Sequence, residues 1–302
     1  MSSESTVRCV ADVHAVLGEG PVWVSQEAAL YWVDIKGRKI FRIDEQGERR
    51  EWATPFRVGS IAPRASGGFI AGTDEGIAEI ELDAGRFTIL DNPEAHLPDN
   101  RFNDGKCDPA GRLWAGTMAI DESHGAGALY CLHPDLTVQR MVPNVSVSNG
   151  LAWSLDHTTM YFVDSPTRRI VGFDYELGSG SIGNERTIFE VPEGAGFPDG
   201  MTIDAEGHLW LALWEGGRVL RVDPTVGAIS DEIVMPVSRP TSCCFGGPDL
   251  EDLFITSASN LPAHQRRREP QAGGVFRVRP GVKGLPASDF AGTARLRERL
   301  GA

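Results

Sequence analysis

Six times along this chain an apolar-aromatic run recurs, and five of the six close on small or acidic residues. The runs are Leu30-Tyr31-Trp32-Val33-Asp34, Gly68-Phe69-Ile70-Ala71-Gly72-Thr73, Leu113-Trp114-Ala115-Gly116-Thr117, Met160-Tyr161-Phe162-Val163-Asp164, Leu209-Trp210-Leu211-Ala212-Leu213 and Leu253-Phe254-Ile255-Thr256-Ser257. Between Tyr31, Phe69, Trp114, Tyr161, Trp210 and Phe254 the intervals are 38, 45, 47, 49 and 44 residues. Each run is followed by a second strand-like stretch, such as Arg38–Asp44, Gly76–Asp83 or Gly217–Asp223, several of them alternating apolar and polar residues. Gly-bearing turns precede the runs, as in Asp108-Pro109-Ala110-Gly111 and Asp204-Ala205-Glu206-Gly207. Strand-like units repeating every ~40–50 residues cannot bury their apolar faces singly and must pack around an axis. The expected fold is all-β, a six-bladed β-propeller forming one domain over residues 1–302.

The ends fit that ring. Val7–Val13 reads as a strand without a partner of its own, and the last unit, ending near Val278, is one strand short of four. The N-terminal strand, about residues 6–14, is therefore expected to complete the last blade. Residues 285–302 fall outside the repeat as a C-terminal tail, in which Ala291–Glu298 would fray or form a short helix.

A net charge of −13 argues against nucleic acid and anionic membranes as partners, since both demand basic surface. The one basic cluster, Arg266-Arg267-Arg268, sits in the Ser259–Gly273 insertion and reads as a solvated loop. No apolar run is long enough to span a bilayer, and the polar start Met1-Ser2-Ser3-Glu4-Ser5 lacks the apolar core of a signal peptide. Five cysteines make no disulfide framework. These features lead to the expectation of a cytoplasmic chain, monomeric or weakly self-associating.

The repeat also supplies a phase. In a propeller the innermost strand of each blade lines the central channel, so residues about 9–12 positions before each anchor should occupy equivalent places. They are Glu19, Ser60, Asn103, Asn149, Asp199 and Ser242, all polar, four of them bearing a carboxylate or amide oxygen. Each of those four is followed, directly or after one residue, by Gly and then by strand. A lone Asn-Gly or Asp-Gly is ordinarily a turn; four in phase around a ring point to a site. Carboxylates converging on one axis repel and are costly to bury, and one divalent cation at the channel mouth would resolve the conflict. Oxygen ligands favour calcium; magnesium and manganese suit the same oxygens, and zinc and iron remain candidates. No His or Cys shares the phase. The nucleophile elbow, the His-Glu-x-x-His pair, the P-loop and the dinucleotide glycine fingerprint are all missing. Metal-assisted chemistry is what remains.

Leu17-Gly18-Glu19-Gly20-Pro21, Arg101-Phe102-Asn103-Asp104-Gly105-Lys106, Ser148-Asn149-Gly150-Leu151-Ala152-Trp153-Ser154, Pro198-Asp199-Gly200-Met201 and Thr241-Ser242-Cys243-Cys244-Phe245-Gly246-Gly247 together resemble the regucalcin (senescence marker protein)/gluconolactonase family. The likeness runs from about Leu17 to Gly284. It implies a sugar-lactone hydrolase whose divalent cation is held by Glu19, Asn149 and Asp199, with a small-molecule sugar lactone as partner. It also implies that Arg101 and Asn103 bind substrate, and that a carboxylate after Gly116-Thr117-Met118 does so too; Asp121 holds the matching position, with Glu122 beside it. On this expectation Asp199 activates water as catalytic base, and the Asp121–Gly127 loop acts as a lid. Asp104 reads equally as a turn residue or as a partner of the ligands. Two other readings use the same scaffold: an aryl-ester or phosphotriester hydrolase, and a calcium-binding propeller without catalysis.

Overall fold

A computed structural model describes residues 6–292. They form six four-stranded antiparallel sheets, each a blade running outward from a common axis. The innermost strands are Gly18–Val24, Val58–Pro63, Asn100–Cys107, Ser148–Trp153, Phe197–Ile203 and Pro240–Gly246, in blades 1 to 6. Each contacts the next, and the last contacts the first, which closes the ring.

The recurring apolar runs are the second strand of every blade. They are apolar throughout because each is covered on both sides. Leu30 and Trp32 pack toward blade 6, while Tyr31 and Val33 pack toward blade 2. Leu209, Leu211 and Leu213 face blade 4, while Trp210 and Ala212 face blade 6. A strand alternates its side chains between two faces, so a blade wedged between neighbours needs apolar residues at consecutive positions. Six apolar clusters result, one at each blade interface. The fourth strands, such as Arg49–Ala53 and Ala228–Val234, are largely exposed, so burial imposes no such signature on them.

The Asp-x-x-Gly turns do more than reverse the chain. Asp108 is fully buried and accepts from the Ala110 and Arg112 N–H groups, from Trp114 Nε1 at 2.9 Å and from Tyr175 OH at 2.8 Å. Asp204 does the same in blade 5, accepting from the Glu206 and His208 N–H groups and from Trp210 Nε1 at 2.9 Å. The indole fills the core and its N–H is satisfied by the turn that precedes it.

Arg8–Ala11 pairs antiparallel with Val275–Val278, so the N-terminal strand does complete the last blade. The tail, where it is described, lies against the blades. Lys283 and Gly284 bond to the Asp204–Ala205 turn, and Phe290, fully buried, exchanges backbone bonds with Pro63 and Ala65. Ala291 then donates to Gly111 O. The tail is therefore a strap from blades 5 and 6 to blades 2 and 3, held by β-type bonds and one buried aromatic; the remainder of Ala291–Glu298 lies outside the described residues. The basic insertion is exposed as expected, with one short helical turn at Ala263–Arg266. Cys243 is buried toward blade 5 and Cys244 packs toward blade 1, on opposite faces of their strand. No helix among the described residues is long and apolar enough to cross a membrane.

Candidate functional site

All six residues found by the repeat phase are buried, with exposures between 1% and 6%. Each falls at or beside a break in the pairing of its innermost strand: Glu19/Val22, Val58/Ser60, Phe102/Gly105, Ser148/Leu151, Pro198/Met201 and Pro240/Cys243. Such bulges twist a strand and re-aim its side chains, and here the same bulge recurs in every blade. Gly20, after Glu19, is held at φ 51°, whereas Gly105, Gly150 and Gly200 are explained by crowding. A Cβ on Gly200 would lie 2.1 Å from Ser242 Oγ, and one on Gly150 would lie 2.8 Å from Asp199 O. At these three positions the neighbouring strands leave room only for Gly.

At one end of the channel a cavity of ≈ 480 Å³ is lined by Glu19, Arg101, Asn103, Glu122, Asn149 and Asp199, with Lys36, Arg57, Ser165 and Trp214 among their neighbours. The three predicted ligands and both predicted substrate-binding residues of blade 3 are thus brought together. The two acidic candidates of the following loop are separated. Asp121 is exposed and turned onto Ser123, accepting from its N–H and Oγ, whereas Glu122, held at φ 61°, lines the cavity. The matching position in sequence is thus not the one that reaches the site. The base of this loop is tied down, with Asn100 Nδ2 donating to Ala126 O and Gly125 N to Ser146 Oγ.

A one-way chain of hydrogen bonds fixes the amides. Arg101, a pure donor, gives Nη1–H to Asn103 Oδ1 at 2.7 Å. Asn103 Nδ2 donates to Asn149 Oδ1 at 3.1 Å and to Ser148 O at 2.8 Å. Asn149 Nδ2 donates to Ser165 Oγ at 2.7 Å, and Ser165 donates to Pro198 O at 2.6 Å. The Pro198 carbonyl is a pure acceptor, so the order is dictated from both ends. Asn103 spends both amide protons on blade 4 and its oxygen on Arg101. Its polar atoms thus hold Arg101 and Asn149 in place. Ser165 carried no signal of function in the sequence beyond following Asp164 in the fourth run.

The carboxylates are poorly compensated. Burial pushes the Glu19 carboxyl up to about 8, aided by the nearby Asp104 charge and opposed by the Gly20 N–H and by Arg101. Burial also drives Asp199 well above the usual carboxylate range, with Glu19 and Asp104 adding to the push. Asp199 Oδ1 is buried with no hydrogen-bond partner among the described residues. Burial lowers Arg101 to about 10. Two buried, mutually repelling carboxylates with an orphaned oxygen fit a divalent cation, whose charge would reverse the balance. Among the described residues no three His, Cys, Asp or Glu side chains gather for a metal; the set here is two carboxylates and an amide. Asp104, raised by burial against the pull of Lys106, faces a second cavity of ≈ 350 Å³ at the other end, lined also by Leu285–Ser288 of the strap.

Residues 17–259 match the SMP-30/Gluconolactonase/LRE-like region. Regucalcin of Gallus gallus is 42% identical over 298 residues, covering 96% of this chain and all of that protein. The crystal structure of a calcium-binding protein, regucalcin, from Agrobacterium tumefaciens has TM-score 0.90 and 30% identity, covering 95% of this chain and 97% of that one. A luciferin-regenerating enzyme has TM-score 0.88 and 34% identity, covering 95% and 99%. The chain is a six-bladed β-propeller of the SMP-30/gluconolactonase/LRE-like family.

Proposed function

We propose that this chain hydrolyses a sugar lactone to the free aldonic acid with the help of one divalent cation. The observation that carries the reading is the pair of buried carboxylates, Glu19 and Asp199, one with an orphaned oxygen, beside the Arg101–Asn103–Asn149 chain in a cavity sized for a monosaccharide. Family membership supports lactonase-type chemistry. Glu19, Asn149 and Asp199 would hold the cation, with calcium favoured by the oxygen donors. When bound, a divalent cation supplies Lewis acidity to the lactone carbonyl and offsets developing negative charge.

The residues supply the rest. Asp199 takes a proton from water as the water oxygen adds to the carbonyl carbon. The ring C–O bond then breaks, and the ring oxygen leaves with the proton that Asp199 accepted. One carboxylic acid and one hydroxyl result, and Asp199 ends as it began. Arg101 keeps N–H groups beyond those spent on Phe102 O and Asn103 Oδ1, and offers them to sugar hydroxyls or the ring oxygen. Glu122 accepts from further hydroxyls. Trp214 and Ile120 add apolar wall beside the sugar.

The test is acid release from a panel of five- and six-membered aldonolactones, corrected for spontaneous opening. Chelator-stripped protein receives each divalent cation in turn, beside Asp199→Ala. Cation-dependent turnover lost in the variant is expected. The competing reading is a calcium-binding propeller without catalysis, favoured by the name of the Agrobacterium relative; it predicts cation binding with no turnover above background. Greater activity on aryl esters or phosphotriesters than on lactones would point to the third reading.

A further inference from the structure

Glu19, Asn149 and Asp199 stand on bulged strands, where ladder bonds lapse, yet a ligand set works only if its oxygens are held in place. The residue just before each of them has its carbonyl bonded by a side chain of the preceding blade. Asn103 Nδ2 of blade 3 donates to Ser148 O, before Asn149, at 2.8 Å. Ser165 Oγ of blade 4 donates to Pro198 O, before Asp199, at 2.6 Å. Thr241 Oγ1 of blade 6 donates to Gly18 O, before Glu19, at 2.6 Å. All three donors are buried: Asn103 at 6%, Ser165 at 8% and Thr241 at 0% exposure.

We infer that Asn103, Ser165 and Thr241 are the positioning residues of the cation site, each locking one ligand residue from the blade before it. The inference rests on Glu19, Asn149 and Asp199 being the ligands. Ser165 does two jobs, because the lone pair it turns to Asn149 accepts Nδ2–H and so fixes Oδ1, which also accepts from Asn103, with one lone pair left to offer a cation. Thr241 is backed in turn by Thr256, whose hydroxyl lies 2.8 Å away. Because each lock crosses a blade boundary, the ligand geometry depends on neighbouring blades being correctly docked. No blade alone could form the site.

The test is calorimetric titration of chelator-stripped full-length protein with calcium, manganese and zinc ions, each variant checked first for a cooperative melt. Thr241→Val keeps shape and loses the bond; Ser165→Ala loses both of its bonds. Thr73→Val is the control, since Thr73 is a buried hydroxyl donating to Gly76 O at 2.7 Å in blade 2, which supplies no ligand. Loss of a residue that orients a ligand typically weakens metal affinity ~10–100-fold. That loss is expected for Thr241→Val and Ser165→Ala, recovery for Thr241→Ser, and less than ~3-fold change for Thr73→Val, which removes buried hydroxyl bonds to Gly76 O and Glu75 N that touch no ligand residue. Wild-type affinity in both Thr241→Val and Ser165→Ala would overturn the inference while leaving the ligand reading intact. An equal loss in Thr73→Val would overturn it as well, since general loosening would then suffice. Absence of cation binding by the unaltered protein would overturn the ligand reading and this inference with it.

Discussion

The cation-free protein should be more stable with an amide at position 19 than with its own carboxylate. Glu19 is raised by burial and by Asp104 to about 8, against ~4.3 for an unfolded glutamate. A raised folded value means that the contribution to stability is fully present below the unfolded value and is lost as pH climbs toward the folded one. At pH 7 the loss, ~1.36 kcal/mol for each unit between pH and the unfolded value, is on the order of 2–5 kcal/mol relative to a side chain that never ionises. Glu19→Gln keeps the shape and removes that loss. With ~2.1 cal/mol/K of unfolding entropy per residue, a chain of 302 residues converts it to a rise of roughly 5 °C in Tm. Relief of Asp199, which Glu19 also pushes upward, adds to the effect. The assay is calorimetric melting of dialysed, cation-free protein at pH 5 and pH 8, repeated with saturating calcium. The Gln variant should melt higher at pH 8, show little advantage at pH 5, and gain much less from calcium than the wild type, so that the order narrows or reverses when the ion is added. A Gln variant that melts below wild type at both pH values without calcium would refute the argument, because Glu19 would then be a compensated group.

The two acidic residues after the Gly116-Thr117-Met118 phrase should separate kinetically: Glu122→Gln raises KM for an aldonolactone by ~5–20-fold, the loss of one charged hydrogen bond, while Asp121→Asn leaves kcat and KM within twofold, as steady-state assays on both would show. Phe290→Ala, which empties a fully buried aromatic site under the strap, should cost ~3–5 kcal/mol and lower Tm while the kcat of the folded protein stays near wild type, measured by melting and by activity at low temperature. Removing residues 1–12 deletes the strand paired with Val275–Val278 and leaves that edge open; size-exclusion chromatography should show aggregates or swapped oligomers in place of the parent species.

The repeated apolar runs, their spacing and the polar residue preceding each run are properties of the chain alone. They suffice for six blades, for closure by the N-terminal strand and for the convergence of Glu19, Asn103, Asn149 and Asp199, because equivalent positions in a closed ring must meet at the axis. Asp121 and Glu122 mark the limit of that logic. Asp121 holds the matching position and Glu122 stands beside it, but a left-handed turn at Glu122 and the hold of Ser123 on Asp121 decide which one faces the cavity. The outermost strands were illegible because they bury little and so need no apolar pattern.

Of the residues that hold others, Asn103 shares the repeat phase, but Ser165 and Thr241 left no trace of that role in the sequence. Asn-Gly and Asp-Gly read as turns until the packing shows that a Cβ would strike the neighbouring strand. Ser165 and Thr241 are an ordinary serine and threonine until the ring brings their hydroxyls to Pro198 O and Gly18 O across blade boundaries. The tail, outside the repeat, became a strap only through Phe290 and the edges it pairs with. Periodicity constrains what each blade buries, and a sequence displays it because burial selects residue type at every turn of the repeat. Hydrogen bonds between blades select single atoms at single distances, and those exist only once the ring has closed.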